Sequence, residues 1–293
     1  MIMKKRRFKS KKRQKHLFKW LFLTGLFFCL LIGAVYFLIF SSYLWISQLE
    51  LETDRDSKYY QKEEVEKIIW ESLNKKVFQI VSQKNIVLAP IETIQKQVLE
   101  RMPQLSSITL QRRLPNTLLV KIEERQSIGV WCQAQRDESG LSQATSTQEQ
   151  IEEPKQERRV VKQCFLIDKQ GIVFKETLLV KSTLLINIYD LKDQKIRLGQ
   201  EAVLPNIMKF ILALNQELGK TEGKKREQLF LGADFEIISI EDVRMATSAG
   251  WQIYFNPAYS AVSQVRALQA LLDKEEILFE YIDLRIKGRA YYK

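Results

Sequence analysis

Histidine is nearly absent from this chain. Its 293 residues contain one, His16, set among lysines close to the N-terminus, where it reads as a solvated tail residue. That scarcity excludes Ser-His-Asp and Cys-His nucleophile pairs and the usual zinc ligand sets from everything downstream. Phosphate-cradling loops are missing too: neither G-x-x-x-x-G-K nor G-x-G-x-x-G occurs. There are three cysteines. Cys29 lies in an apolar run, while Cys132 and Cys164 flank a polar insertion in no metal-ligand spacing. A bridge between those two and a pair of half-buried thiols both fit the sequence.

Acidic residues are absent from positions 1–19, which carry ten Lys or Arg. Of 46 basic residues this leaves 36, against 35 acidic ones, for the other 274 positions. The net charge of +11 is therefore a property of the tail. The rest of the chain lacks the broad positive field that nucleic-acid binding uses. Charge is also absent from Trp20–Phe40, a run of 21 residues. At 1.5 Å per residue it reaches roughly 30 Å, the thickness of a bilayer core. A signal peptide has a shorter apolar region, about 7–15 residues, ending in small residues. Here the run continues into Tyr43, Leu44 and Trp45. We expect an uncleaved membrane helix over 20–43. The basic tail, 1–19, stays cytoplasmic by the positive-inside rule and can touch anionic head groups. Tyr43 and Trp45 suit the outer interface, and everything after them lies outside the cell membrane.

The outer part divides in two. The first block, 44–125, reads strand, helix, helix, strand, strand. Leu44–Glu52 is a strand, and Lys62–Leu73 a helix with Val65, Ile68, Ile69 and Leu73 on one face. Ile91–Met102 is a second helix, with Ile91, Ile94, Val98 and Leu99 toward a core, Pro90 in its first turn and Pro103 ending it. Strands follow at Ser107–Gln111 and Thr117–Glu124, joined by a turn at Arg113–Asn116 around Pro115.

The second block, 126–293, is mixed and strand-rich. A strand through Val130–Cys132 leads into Gln133–Val160, too polar to order itself and read as a flexible insertion. Strands at Cys164–Ile167 and Gly171–Phe174 meet at the turn Asp168–Gln170. Helices are expected at Pro205–Leu218 and Ala261–Leu272. A charged loop spans Gly219–Glu227, and strands follow at Leu229–Ile240, Met245–Phe255 and Glu280–Tyr292. The fold class is α+β: a membrane helix, the strand-helix-helix-strand-strand block, then helices packed on an antiparallel sheet.

Carboxylate pairs can hydrolyse glycans, and Glu123, Glu124, Asp234 and Asp283 are available. No motif sets them apart, so no catalytic residue, cofactor site or metal site is expected. Surface for partners remains. Period two in the last strand puts Ile282, Leu284 and Ile286 toward a core and Tyr281, Asp283 and Arg285 on the other face. A last strand at a sheet edge can accept another chain, and Tyr and Arg often anchor interfaces.

Four stretches carry a family resemblance. They are Asn85-Ile86-Val87-Leu88; Met102-Pro103 through Arg113-Leu114-Pro115-Asn116-Thr117-Leu118 to Glu124-Arg125; Phe165–Phe174 with Asp168 and Gly171; and Tyr281-Ile282-Asp283-Leu284-Arg285. In this order behind a membrane helix, the chain resembles cell-division proteins of the FtsQ/DivIB family. The resemblance implies a POTRA domain for 44–125, a β-rich domain after it, and a non-enzymatic scaffold at the division septum. It implies coiled-coil partners of the FtsB/DivIC and FtsL type, other division proteins bound through the POTRA domain, and an influence on septal peptidoglycan synthesis. The FtsB-type partner adds beside the last strand, which points to Tyr281, Asp283, Leu284, Arg285, Gly288 and Ala290. The insertion at 133–160 departs from the family pattern, as does the lack of a long tail after the last strand. Competing readings are a POTRA-bearing protein of secretion or envelope assembly and a cell-wall hydrolase.

Overall fold

The computed structural model describes residues 10–53, 58–77, 81–136, 159–179, 185–192, 195–220, 234–248, 250–273 and 279–293. The first helix, α1, runs Ser10–Phe40, and Phe18–Phe40 is long and apolar enough to cross a membrane. It stops before the sequence-expected end at 43. A 3-10 turn, Ser42–Leu44, follows, with Ser41 Oγ accepting from the Tyr43 amide.

Two compact units are present. The first takes in residues 1–101 and 107–123. It contains β1 (Gln48–Thr53), α2 (Lys62–Leu73), a small hairpin of β2 (Lys76–Val77) and β3 (Val81–Ser82), and α3 (Ile91–Arg101). Then come β4 (Leu105–Arg113) and β5 (Thr117–Glu124), and the sheet order is β1-β5-β4. β1 runs parallel to β5, so the chain needs a crossover between them, and the two helices provide it. Helix α2 buries Val65, Ile68, Ile69 and Leu73, the face its apolar spacing predicted. On α3 only Ile94 and Val98 are buried, while Ile91 and Leu99 are half-buried. The helices pack together, and Ser72 Oγ donates to Gln97 Oε1 at 2.7 Å between them. Leu118, Val120 and Ile122 supply the sheet side of the core. The expected strand at Leu44–Glu52 begins later than its alternation suggested. Its first residues instead bridge to Asn85, with Ile46 N donating to Lys84 O and Ile86 N to Leu44 O.

The second unit takes in 102–106 and 124–293. Its strands are β6 (Gly129–Arg136), β7 (Arg159–Ile167), β8 (Val173–Thr177), β9 (Ile186–Asp190), β10 (Asp234–Ser239), β11 (Asp242–Ala246), β12 (Gln252–Phe255), β13 (Tyr281–Asp283) and β14 (Tyr291–Tyr292). Helices α4 (Pro205–Leu218) and α5 (Ala261–Leu272) have the expected bounds. The sheet order is β14-β13-β12-β11-β10-β9-β6-β7-β8. It is mixed, because β13 with β12, β10 with β9, and β9 with β6 are parallel. The α+β class holds, and the antiparallel expectation is refined by those three neighbours.

Several expectations are corrected. Met245–Phe255 is two strands, because Thr247 turns the chain: its amide and its hydroxyl both donate to Trp251 O. Glu280–Tyr292 is not one strand. The chain leaves the sheet after Asp283, turns through Gly288 at φ 72°, and returns as β14 antiparallel to β13. Ile286 is therefore exposed, although alternation put it in the core. Strand β9 was not foreseen; all five of its residues are buried, so no alternation marks it. Gln133–Arg136 and Arg159–Val160 belong to paired strands, and the middle of the expected insertion, 137–158, lies outside the described residues. So does most of the expected loop at 219–227.

The geometry of the β7–β8 turn accounts for Asp168 and Gly171. Asp168 Oδ1 accepts from the amides of Gln170 and Ile172, and Asp168 Oδ2 pairs with Arg125 where both side chains are mostly buried. Gly171 has φ 86°, and a Cβ there would stand 2.0 Å from Val203 O, so only glycine fits.

One face of the large sheet is apolar and covered. Trp131, Phe165, Ile188, Phe235, Ile253 and Phe255 pack under α4 and α5 in one core. The opposite face is read along one register row: Thr177, Cys164, Cys132, Tyr189, Glu236, Arg244, Tyr254, Asp283, Tyr291. Cys132 and Cys164, directly opposed with Cα atoms 4.1 Å apart, form a disulfide. That decides between the two alternatives the sequence left open.

Candidate partner-binding surface

The far end of that row carries the sequence-predicted residues. Tyr281 and Asp283 lie on β13, and Arg285 follows it. All three are half-buried on the face opposite α4 and α5. The register brings three residues beside them that terminal-strand periodicity could not reveal: Asp242 and Arg244 on β11 and Tyr254 on β12. Their own strand patterns held a signal. Tyr254 falls between inward Ile253 and Phe255, and Arg244 between Val243 and Met245.

The six side chains form a network. Arg285 Nε and Nη2 donate to the two carboxylate oxygens of Asp283 at 3.0 and 2.6 Å, and Nη1 donates to Asp242 Oδ2 at 2.9 Å. Arg244 Nη2 donates to the same Asp242 oxygen at 3.0 Å. Both guanidinium groups lie over the Tyr254 ring, at 4.7 Å for Arg244 and 5.1 Å for Arg285. Tyr254 stacks on Tyr281 with centroids 5.5 Å apart and planes 11° apart.

The electrostatics follow from this packing. Burial pushes the Asp283 carboxyl up, but hydrogen bonds from the Arg285 side chain and backbone, with the charges of Arg285 and Arg244, outweigh it and leave it below its usual range. Arg285 is raised, first by its hydrogen bond to Asp283, and Arg244 first by its bond to Asp242. Tyr254 is raised by burial, against the two arginine charges. Two cations and two anions balance, so the patch is neutral, prearranged and faced with aromatic rings.

The other predicted residues have different places. Leu284 is buried in the core and donates its amide to Tyr254 O, so its side chain holds the strand. Gly288 is exposed in the turn, and Ala290 is half-buried just before β14. The edge expected at Tyr281–Asp283 is occupied by β14. Among the described residues the outer strand is Tyr291–Tyr292, and both tyrosines are exposed. Behind it Tyr292 meets Phe279 edge to face, and Phe279 meets Trp251.

Residues 58–125 match the family model of the POTRA domain, FtsQ-type. No curated protein matches the chain.

Proposed function

We propose that this chain, FtsQ/DivIB-like by its POTRA domain and preceding apolar helix, is a non-enzymatic scaffold of the cell-division machinery. FtsQ-type POTRA proteins are generally non-catalytic. The observation that carries the reading is the FtsQ-type POTRA match directly behind a helix able to cross a membrane. The helix tethers the protein with its basic tail in the cytoplasm and the chain from residue 44 onward outside. A disulfide between Cys132 and Cys164 is at home on that oxidising side.

The scaffold holds coiled-coil partners of the FtsB/DivIC and FtsL type at the septum and so influences peptidoglycan synthesis there. The FtsB-type partner uses the surface of Tyr281, Asp283 and Arg285, extended by Asp242, Arg244 and Tyr254, and adds beside β14. Aromatic rings give it contact area at low entropy cost, and the arginine forks give direction. Other division proteins bind through the POTRA domain. Fluorescent tagging of the full chain in dividing cells tests the role: accumulation at midcell is expected, and uniform membrane fluorescence would overturn it.

A further inference from the structure

Within the first unit, the turn before α3 is tied to the end of α1 by side-chain chemistry. Asn85 is buried, and its Nδ2 donates to Leu38 O at 2.7 Å and Ile39 O at 3.1 Å. These are carbonyls that a helix terminus otherwise leaves unpaired. Asn85 Oδ1 accepts from Val87 N, folding the next residues into a tight turn. Arg112 then clamps that turn from β4, donating to Ile86 O at 2.7 Å and Ala89 O at 2.8 Å.

The clamped turn points two aliphatic side chains outward. Val87 is 46% exposed and Leu88 43%. Leu114, in the β4–β5 turn, is exposed beyond Asn116, whose carbonyl accepts from Ser47 N and Gln48 N. Tyr43 and Trp45 are exposed in the same short connection. A rigid turn that exposes adjacent aliphatic residues in water wastes hydrophobic surface. Position supplies the reason. Val87 and Leu88 follow the helix-capping Asn85 by two and three residues, so they lie within roughly 7–11 Å of it. Interfacial side chains sink about 5–10 Å into the head-group boundary.

We infer that Val87 and Leu88 are a second membrane contact, seated in the lipid interface beside the end of α1, with Leu114 as an outlying member. The occupant is the bilayer surface itself, given by continuity with the spanning helix. The inference rests on the reading of Phe18–Phe40 as membrane-spanning. The contact would fix how the POTRA domain stands on the membrane.

Site-specific quenching tests it. The full chain with Cys29→Ser is placed in lipid nanodiscs, and an environment-sensitive dye is attached at Leu88→Cys, Glu100→Cys or Val35→Cys in turn. Glu100 is exposed at the far end of α3, roughly 13 Å of helix from Ile91. The Leu88 dye should emit further to the blue than the Glu100 dye, and lipids carrying a spin label near the head group should quench it while leaving the Glu100 dye unchanged. A Leu88 dye quenched no more than the Glu100 dye, with the Val35 dye quenched by deep spin labels, would overturn the contact alone. An unquenched Val35 dye would sink the membrane-spanning reading and the inference with it. A dye at Val87→Cys gives a second reading, and circular dichroism confirms that each variant folds.

Discussion

The two faces of the nine-stranded sheet solve different problems. The face under α4 and α5 is closed and apolar, with Phe255 buried and set edge-on to Phe210 at 6.4 Å. Among the described residues, no helix packs on the open face. It is sealed at one end by a disulfide and at the other by ion pairs and stacked tyrosines that remain half-exposed. The same backbone row thus passes from covalent closure to an adaptable surface. Stability is concentrated on one face and at one end of the other, which leaves the β11–β13 end free to be chosen for recognition.

Mutation can break this comparison, and the largest effect belongs to the closed face. Phe255→Ala should cost about 3–5 kcal/mol, from lost burial and a residual cavity, in urea unfolding followed by tryptophan fluorescence. A cost below about 1 kcal/mol would mean the helical layer is not the main source of stability. Cys132→Ser should cost about 2–4 kcal/mol, through loss of a cross-link spanning 32 residues. Reducing agent should lower the parent to the same midpoint and leave the variant unmoved.

At the open end the two readouts should separate. Arg285→Glu should weaken binding of the organism's FtsB/DivIC-like coil about tenfold or more, which is about 1.4 kcal/mol. Its effect on unfolding should stay near 1 kcal/mol, since this partly exposed pair is screened by solvent. Equal affinity of parent and variant would remove the network from the binding site. Tyr281→Ala should cost only about 0.5–1.5 kcal/mol of stacking. The smallest effect is that of acid. Because the folded Asp283 lies below the 3.8 of its unfolded form, its stabilisation is full above that pH and fades as pH falls through the lower folded value. Asp283→Asn should flatten that part of the stability-pH profile; an unchanged slope would assign it to other carboxylates.

The sequence was readable where one element decides its own pattern. Lys62–Leu73, Pro205–Leu218 and Ala261–Leu272 match residue for residue, since each carries an unbroken apolar stripe at helical spacing. It was unreadable where tertiary packing overrides period. Strand β9 is buried on both faces, and Ile286 continues an alternation that ended where the chain left the sheet after Asp283. The site shows the same division. Tyr281, Asp283 and Arg285 came from period two along one strand. Alternation marks Arg244 and Tyr254 as outward on their own strands, but only register, which links strands about 30–40 residues apart in the chain, brings them and Asp242 beside β13.

Strand β14 has a consequence of another kind. A broad sheet with a long bare margin is a template on which further copies can stack without limit. At the β14 end the margin among the described residues is two residues, Tyr291–Tyr292, against the five of β8 at the other end. So short a stretch offers little purchase for a stacking copy. It also cannot hold a visitor by main-chain bonds alone, so any strand that lodges there must be recognised by its side chains.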